Sequence, residues 1–220
     1  MILEIIALIL VSYLMGSASS AILLCKLLYK QDIRLIGSGN PGASNVQRNY
    51  GWKSGVTVLL IDALKGAIAV NLAYFTSIPQ ESETFATLQL TLGLAVMLGH
   101  IFPVFFKFKG GKGVAILFGI MGAIHPLAMM ICLVTFVIIL LITRYVSLSV
   151  LIAVLFYPTM INSVFALSIF PNETLTVKIF SIVTAIIIWL SHISNIKRLL
   201  NHTESKFYIK KPVSSKTSRH

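Results

Sequence analysis

The stretch Val114-Ala-Ile-Leu-Phe-Gly-Ile-Met-Gly-Ala-Ile-His125-Pro126-Leu-Ala-Met-Met-Ile-Cys-Leu-Val-Thr-Phe-Val-Ile-Ile-Leu-Leu-Ile142 decides how this chain threads a membrane. As one helix its 29 residues would extend about 43 Å, too long for a hydrocarbon core of about 30 Å without strong tilt. Pro126 disfavours helix at the residue before it and can break the run. Charge then chooses between one segment and two. The clear apolar runs elsewhere are 2–25, 54–75, 85–106, 147–167 and 174–196. Between them, 26–54, 107–112 and 197–220 carry five, three and seven Lys/Arg, whereas 76–84 and 168–173 carry none. Cytoplasmic loops are the Lys/Arg-rich ones. A single crossing at 114–142 would send Arg144 and the basic tail to the wrong side. A break near His125-Pro126 restores the alternation, so the sequence predicts an all-α, polytopic integral membrane protein of about seven transmembrane segments. Its N-terminus is outside and its C-terminus cytoplasmic.

Composition agrees. The 220 residues are 56% hydrophobic and only 11% charged, with mean hydropathy +0.88; a soluble domain of this size carries about 25% charged residues. The net charge of +11 reads as positive-inside topology and an anionic lipid surface rather than nucleic acid. The first run lacks the basic start of a signal peptide and is expected to be a retained helix. Cys25 and Cys132 have neither a metal-ligand spacing nor a disulfide framework. The expected organisation is one membrane domain over 1–202, then a basic, flexible cytoplasmic tail over 203–220.

Three polar stretches interrupt the apolar pattern: Gly37 to Arg48, Gly99 to Gly113 and Ser191 to Arg198. With Arg144-Tyr-Val-Ser147 they all fall on the cytoplasmic face of the expected topology. In the first, the glycines permit positive φ, Ser38, Asn40 and Asn45 supply donors, and Arg48 offers a planar fork for two phosphate oxygens. A turn followed by a capped helix explains part of this, but not the density of Gly and Asn. Lys109-Gly-Gly-Lys-Gly113 lacks the Ser or Thr of a nucleotide P-loop. It reads instead as a backbone cradle at a helix start, with Lys112 directed at an anion. His192 shares a helical face with Asn195, beside Lys197 and Arg198. His100 reads equally as a capping or packing residue, and His125, on the opposite face, as structural. Gly16-Ser17 allows close helix approach, and Asp62 and Lys65, three apart, are expected to pair with each other or with a neighbouring loop. No His-x4-Asp acyltransferase pattern, nucleophile elbow or metal-ligand cluster occurs, and the site offers anion binders but no obvious carboxylate base.

Taken in order, these blocks resemble the bacterial acyl-phosphate:glycerol-3-phosphate acyltransferases, the PlsY family. The resemblance covers roughly residues 10–206. It is carried by Tyr13-Leu-Met-Gly-Ser17, the run from Asp32 to Arg48, Asp62-Ala-Leu-Lys-Gly66, Gly99-His-Ile-Phe-Pro103, Phe108-Lys-Gly-Gly-Lys-Gly-Val-Ala115, Arg144-Tyr-Val-Ser147 and His192-Ile-Ser-Asn-Ile-Lys-Arg-Leu199. The chain departs from the family's pattern at Pro41, Ser44 and Ile193.

The resemblance implies acyl transfer from acyl phosphate to the 1-hydroxyl of glycerol 3-phosphate, giving lysophosphatidate and phosphate, in the bacterial cytoplasmic (inner) membrane. No cofactor or metal is implied. Membrane lipid surrounds the protein, and a functional link to an acyl-phosphate-producing enzyme is implied. Ser38, Lys112, His192 and Asn195 would be catalytic; Asn40, Asn45, Arg48, Gly110, Gly111 and Ser147 would bind substrate. Ser38, Asn40 and Gly110 would hold acyl phosphate, while Arg48, Lys112, Ser147, His192 and Asn195 orient glycerol 3-phosphate. Either the leaving phosphate or His192 takes the hydroxyl proton. The reading from another class is a transporter for a phosphorylated metabolite, but no internal repeat is visible and the polar residues concentrate on one face.

Overall fold

The computed structural model describes residues 1–163 and 174–207. Helices α1 (Ile2–Ser17) and α2 (Ser20–Tyr29) occupy the first apolar run, α3 (Ala43–Tyr50) the first polar connection, and α4 (Trp52–Asn71) and α5 (Glu83–Ile101) the next two runs. Then follow α6 (Val114–Ile124), α7 (Pro126–Thr143), α8 (Val146–Asn162), α9 (Leu175–Ser191) and α10 (Ile193–Leu200). The described chain has no strand.

Local chemistry sets most boundaries. His125 ends α6 and Pro126 is the first residue of α7, so the expected break stands where the sequence placed it. Ser82 and Thr174 cap α5 and α9 by accepting the N–H of Phe85 and Val177. Arg144 closes α7 in the left-handed region at φ 61°.

Two expected spans are bent rather than straight. The 2–25 run divides at Ala18 with a 41° bend, and the 174–196 run divides at His192 with a 58° bend. At the first break, Ser19 caps α2 by accepting Ile22 N–H, and the Ala18 carbonyl is taken by the Lys65 ammonium from α4. The α4 and α5 segments and α7 are long and apolar enough to cross a membrane, as are the bent pairs if each is one span; α6 and α8 are shorter apolar helices. Apolar side chains such as Leu60, Leu64, Val134, Ile138 and Leu141 face outward.

In lipid the hydrophobic effect does little to hold helix to helix, so close packing must. Helix α1 packs along α5 and α4 along α6. A Cβ on Gly16 would overlap the Val96 carbonyl, and one on Gly99 the Tyr13 carbonyl, so α1 and α5 approach backbone to backbone. Gly66 and Gly119 do the same for α4 and α6. These two pairs bring the α1–α2 break, the end of α5 and the start of α6 to one end of the bundle. Asp62 and Lys65 pair there at 3.3 Å. His125 Nδ1 and Tyr157 Oη lie 3.1 Å apart, joining α7's start to α8.

Candidate active site

The connections at this end enclose a cavity of about 1690 Å³. All ten residues singled out from the sequence line it: Ser38, Asn40, Asn45, Arg48, Gly110, Gly111, Lys112, Ser147, His192 and Asn195. Its other wall is apolar, with Phe118 of α6, Leu133 and Phe136 of α7, Val150 of α8 and Ile187 and Leu190 of α9. A charged head and a hydrocarbon tail therefore fit one continuous space.

Asn45 organises the first loop. It is buried, its Oδ1 accepts the Ser38 N–H at 3.1 Å and Asn49 Nδ2 at 3.0 Å, and its Nδ2 donates to the Ile33 and Ile36 carbonyls. With its amide engaged on all these sides, Asn45 braces the loop and presents Ser38 to the cavity. Arg34 ties this loop to the next: it pairs with Asp32 at 2.7 Å and donates to the Phe106 carbonyl at 3.1 Å. Hydrogen bonds from Arg34 hold the Asp32 carboxyl below its usual range. Arg48, on α3, lines the cavity and remains exposed.

The third polar stretch divides at His192, so His192 and Asn195 do not sit on one unbroken helix as the sequence spacing implied. His192 Nδ1 lies 2.8 Å from the Ile188 carbonyl. A carbonyl only accepts, so Nδ1 carries the proton and Nε2 is left as an acceptor. Asn195 sits between charges: its Oδ1 accepts the Lys112 ammonium, and its Nδ2 donates to Glu204 Oε1 at 2.9 Å.

Glu204 is a carboxylate that the sequence reading did not bring to the site. It accepts Ser147 Oγ at 3.0 Å, Asn195 Nδ2 at 2.9 Å and Arg198 Nε at 2.7 Å. Burial alone would raise its carboxyl, but the donors from Arg198, Asn195 and Ser147 bring it below the usual range. The described part of the tail, 203–207, accordingly lies against the site: Phe207 N–H donates to the Arg144 carbonyl at 2.6 Å and Lys206 lies over the Tyr145 ring. Residues 208–220 lie outside the described chain. A single Glu in a polar, basic tail gives no local sign of docking, because its partners come from α8 and α10. Asp62 and His100 also line the cavity.

Burial pushes the Lys112 amine down to about 8, and the cations of Arg198 and Arg48 push the same way against Glu204. Lys112, Arg48 and Arg198 thus gather with Glu204 into a partly desolvated, net cationic cluster whose chemistry suits an oxyanion. Among the described residues, no three His, Cys, Asp or Glu side chains gather to hold a metal.

Fold and cavity together define a helical membrane protein with a cationic pocket opening beside an apolar wall. The sequence profile of the glycerol-3-phosphate acyltransferase family matches residues 6–202, and the chain belongs to that family. A glycerol-3-phosphate acyltransferase of Shewanella sediminis is 42% identical over 207 residues, covering 94% of this chain and 96% of the relative. One from Shewanella loihica is 42% identical over 206 residues, 94% of each chain. Among solved structures, PlsY (YgiH), an integral membrane glycerol 3-phosphate acyltransferase, superposes in its glycerol 3-phosphate form with TM-score 0.81 at 36% identity, over 93% of this chain and 96% of that one. Its lysophosphatidic acid form gives 0.78 at 35%, over the same shares.

Proposed function

We propose that this membrane acyltransferase moves a fatty acyl group from acyl phosphate to the 1-hydroxyl of glycerol 3-phosphate, releasing lysophosphatidate and phosphate. The observation that carries the reading is the single cavity in which the Lys112–Asn195 centre, with Arg48 and Ser147, meets a wall of apolar side chains. Both reactants are phosphate esters or anhydrides, and one carries a hydrocarbon tail. Ser38 and Asn40 hold the acyl phosphate; the Gly110 N–H is committed to the Ile101 carbonyl, so Gly110 shapes the loop rather than donating to the anion. Arg48, Lys112, Ser147, His192 and Asn195 orient glycerol 3-phosphate, with Gly111 and the braced Asn45 loop closing the cradle.

Catalysis is positioning plus electrostatic stabilisation. The 1-hydroxyl oxygen bonds to the acyl carbon, the bond from that carbon to the phosphate oxygen breaks, and the hydroxyl proton ends on the released phosphate. Because Nδ1 of His192 is committed to Ile188, its Nε2 is free to accept a hydrogen bond from the attacking hydroxyl and aim it.

The Lys/Arg-rich connections support a reading in which this end of the bundle lies at the cytoplasmic face of a bacterial inner membrane. The chain has seven membrane segments with the N-terminus outside, the short one at 114–124 packed among its neighbours, and residues 203–220 are the basic tail. An acyl-phosphate-producing enzyme supplies the donor. The test is phosphate release from acyl phosphate by purified protein: it should require glycerol 3-phosphate. Release independent of the acceptor contradicts the transfer.

A further inference from the structure

Beneath the glycine loop lies a buried polar cluster that the chemistry above does not use. Asp62 of α4 is 2% exposed and His100, in the last turn of α5, is 5% exposed. Asp62 Oδ1 accepts Ser20 Oγ from α2 and the Lys65 ammonium, and it stands 3.8 Å from His100 Nδ1. That Nδ1 is buried without a hydrogen-bond partner. Leaving such an atom unpaired costs on the order of 1–3 kcal/mol.

The other side of the same residue carries the loop. The His100 carbonyl accepts the Gly111 N–H at 3.0 Å, and the Ile101 carbonyl accepts the Gly110 N–H at 3.1 Å. A Cβ on Gly111 would overlap His100 Nε2, and one on Gly110 would overlap the His100 carbonyl oxygen. The imidazole and backbone of His100 are the floor on which Gly110 and Gly111 rest. Asp62, anchored to the α1–α2 break through Ser20 and Lys65, stands behind the ring.

Resting on the transferase reading above, we propose that Asp62 and His100 are positioning residues for the phosphate-holding loop. Asp62 fixes the imidazole, and His100 sets the height of the Gly110-Gly111 backbone, and so of Lys112, in the cavity. A misplacement of about 1 Å costs on the order of 10²-fold in rate, so a rigid floor matters to turnover.

A double-variant cycle tests this on full-length purified protein. His100→Asn keeps an amide facing Asp62 and vacates the space of Nε2. Gly111→Ala alone forces its methyl against the ring and should lower kcat/KM by about 10²-fold. Added to His100→Asn, the same methyl should cost about threefold or less, because contacting residues couple. A double variant that loses the product of the two single losses overturns the inference. Asp62→Asn gives a second reading that does not depend on His100→Asn folding. It should raise the KM for both acyl phosphate and glycerol 3-phosphate, because Lys112 moves with the Gly110-Gly111 loop, with a normal elution profile in detergent. Unchanged kcat and KM values, or a fall in kcat matched by an equal fall in the fraction of folded protein, overturn the positioning role. Wild-type protein that makes no lysophosphatidate refutes the transferase reading itself, whereas active wild type with a multiplicative double variant refutes this inference alone.

Discussion

Lys112→Ala should remove most turnover while leaving the fold in place. The Lys112 ammonium sits on Asn195 Oδ1 with Arg198 and Arg48 nearby, and its pKa falls from 10.5 to about 8. That drop means roughly 3 kcal/mol is spent keeping the charge in place before substrate arrives. A folded chain gains nothing from this arrangement; an arriving phosphate does, because a partly desolvated cation binds it through a strong charge-assisted contact. Losing one such contact in the transition state costs several kcal/mol, about 10²-fold or more in kcat. Removing the amine also removes the cost of holding it, so the unfolding midpoint in detergent should not fall. Steady-state phosphate release and thermal unfolding, measured on the same preparation, separate the two effects. A well-folded Lys112→Ala protein within about tenfold of wild-type turnover refutes the reasoning, and returns this lysine to a topology-setting charge.

Three further outcomes follow from the same site. Because the Lys112 amine must be charged to hold phosphate, kcat/KM should decline as pH rises through about 8, where the amine deprotonates; a profile flat to pH 10 contradicts it. Arg48→Lys keeps the charge but loses the planar fork, so the KM for glycerol 3-phosphate should rise much more than that for acyl phosphate. A selective rise in the acyl phosphate KM would place Arg48 on the donor instead. In the seven-segment topology, a cysteine at position 81 should label only from the outside and one at 144 only from the cytoplasm, and the reverse pattern in either case overturns it.

Much of the site was legible because it is built from connections. Ser38, Arg48, Lys112 and Asn195 stand in polar breaks within apolar sequence, and such breaks in a membrane chain have few uses besides turning or binding. The His125-Pro126 boundary was legible for a local reason, the steric effect of proline on the residue before it. The bends at Ala18 and His192 were not. Neither carries a proline, and the Ala18 break is stabilised by Lys65 from another helix. Asn45 was read as a ligand group because an amide advertises donors; only the folded loop shows those donors turned inward to Ile33 and Ile36. Glu204 escaped for the same reason in reverse, since a carboxylate in a basic tail looks solvated until Ser147, Asn195 and Arg198 converge on it.

The central claim is acyl transfer from an acyl phosphate donor to glycerol 3-phosphate within the one cavity. It is tested most directly by incubating the purified protein with labelled glycerol 3-phosphate and either acyl phosphate or acyl-CoA, then quantifying lysophosphatidate and free phosphate. The account expects lysophosphatidate from acyl phosphate alone, in equal amount to the phosphate released. Product formed from acyl-CoA at a comparable rate, or phosphate released without lysophosphatidate, would contradict it.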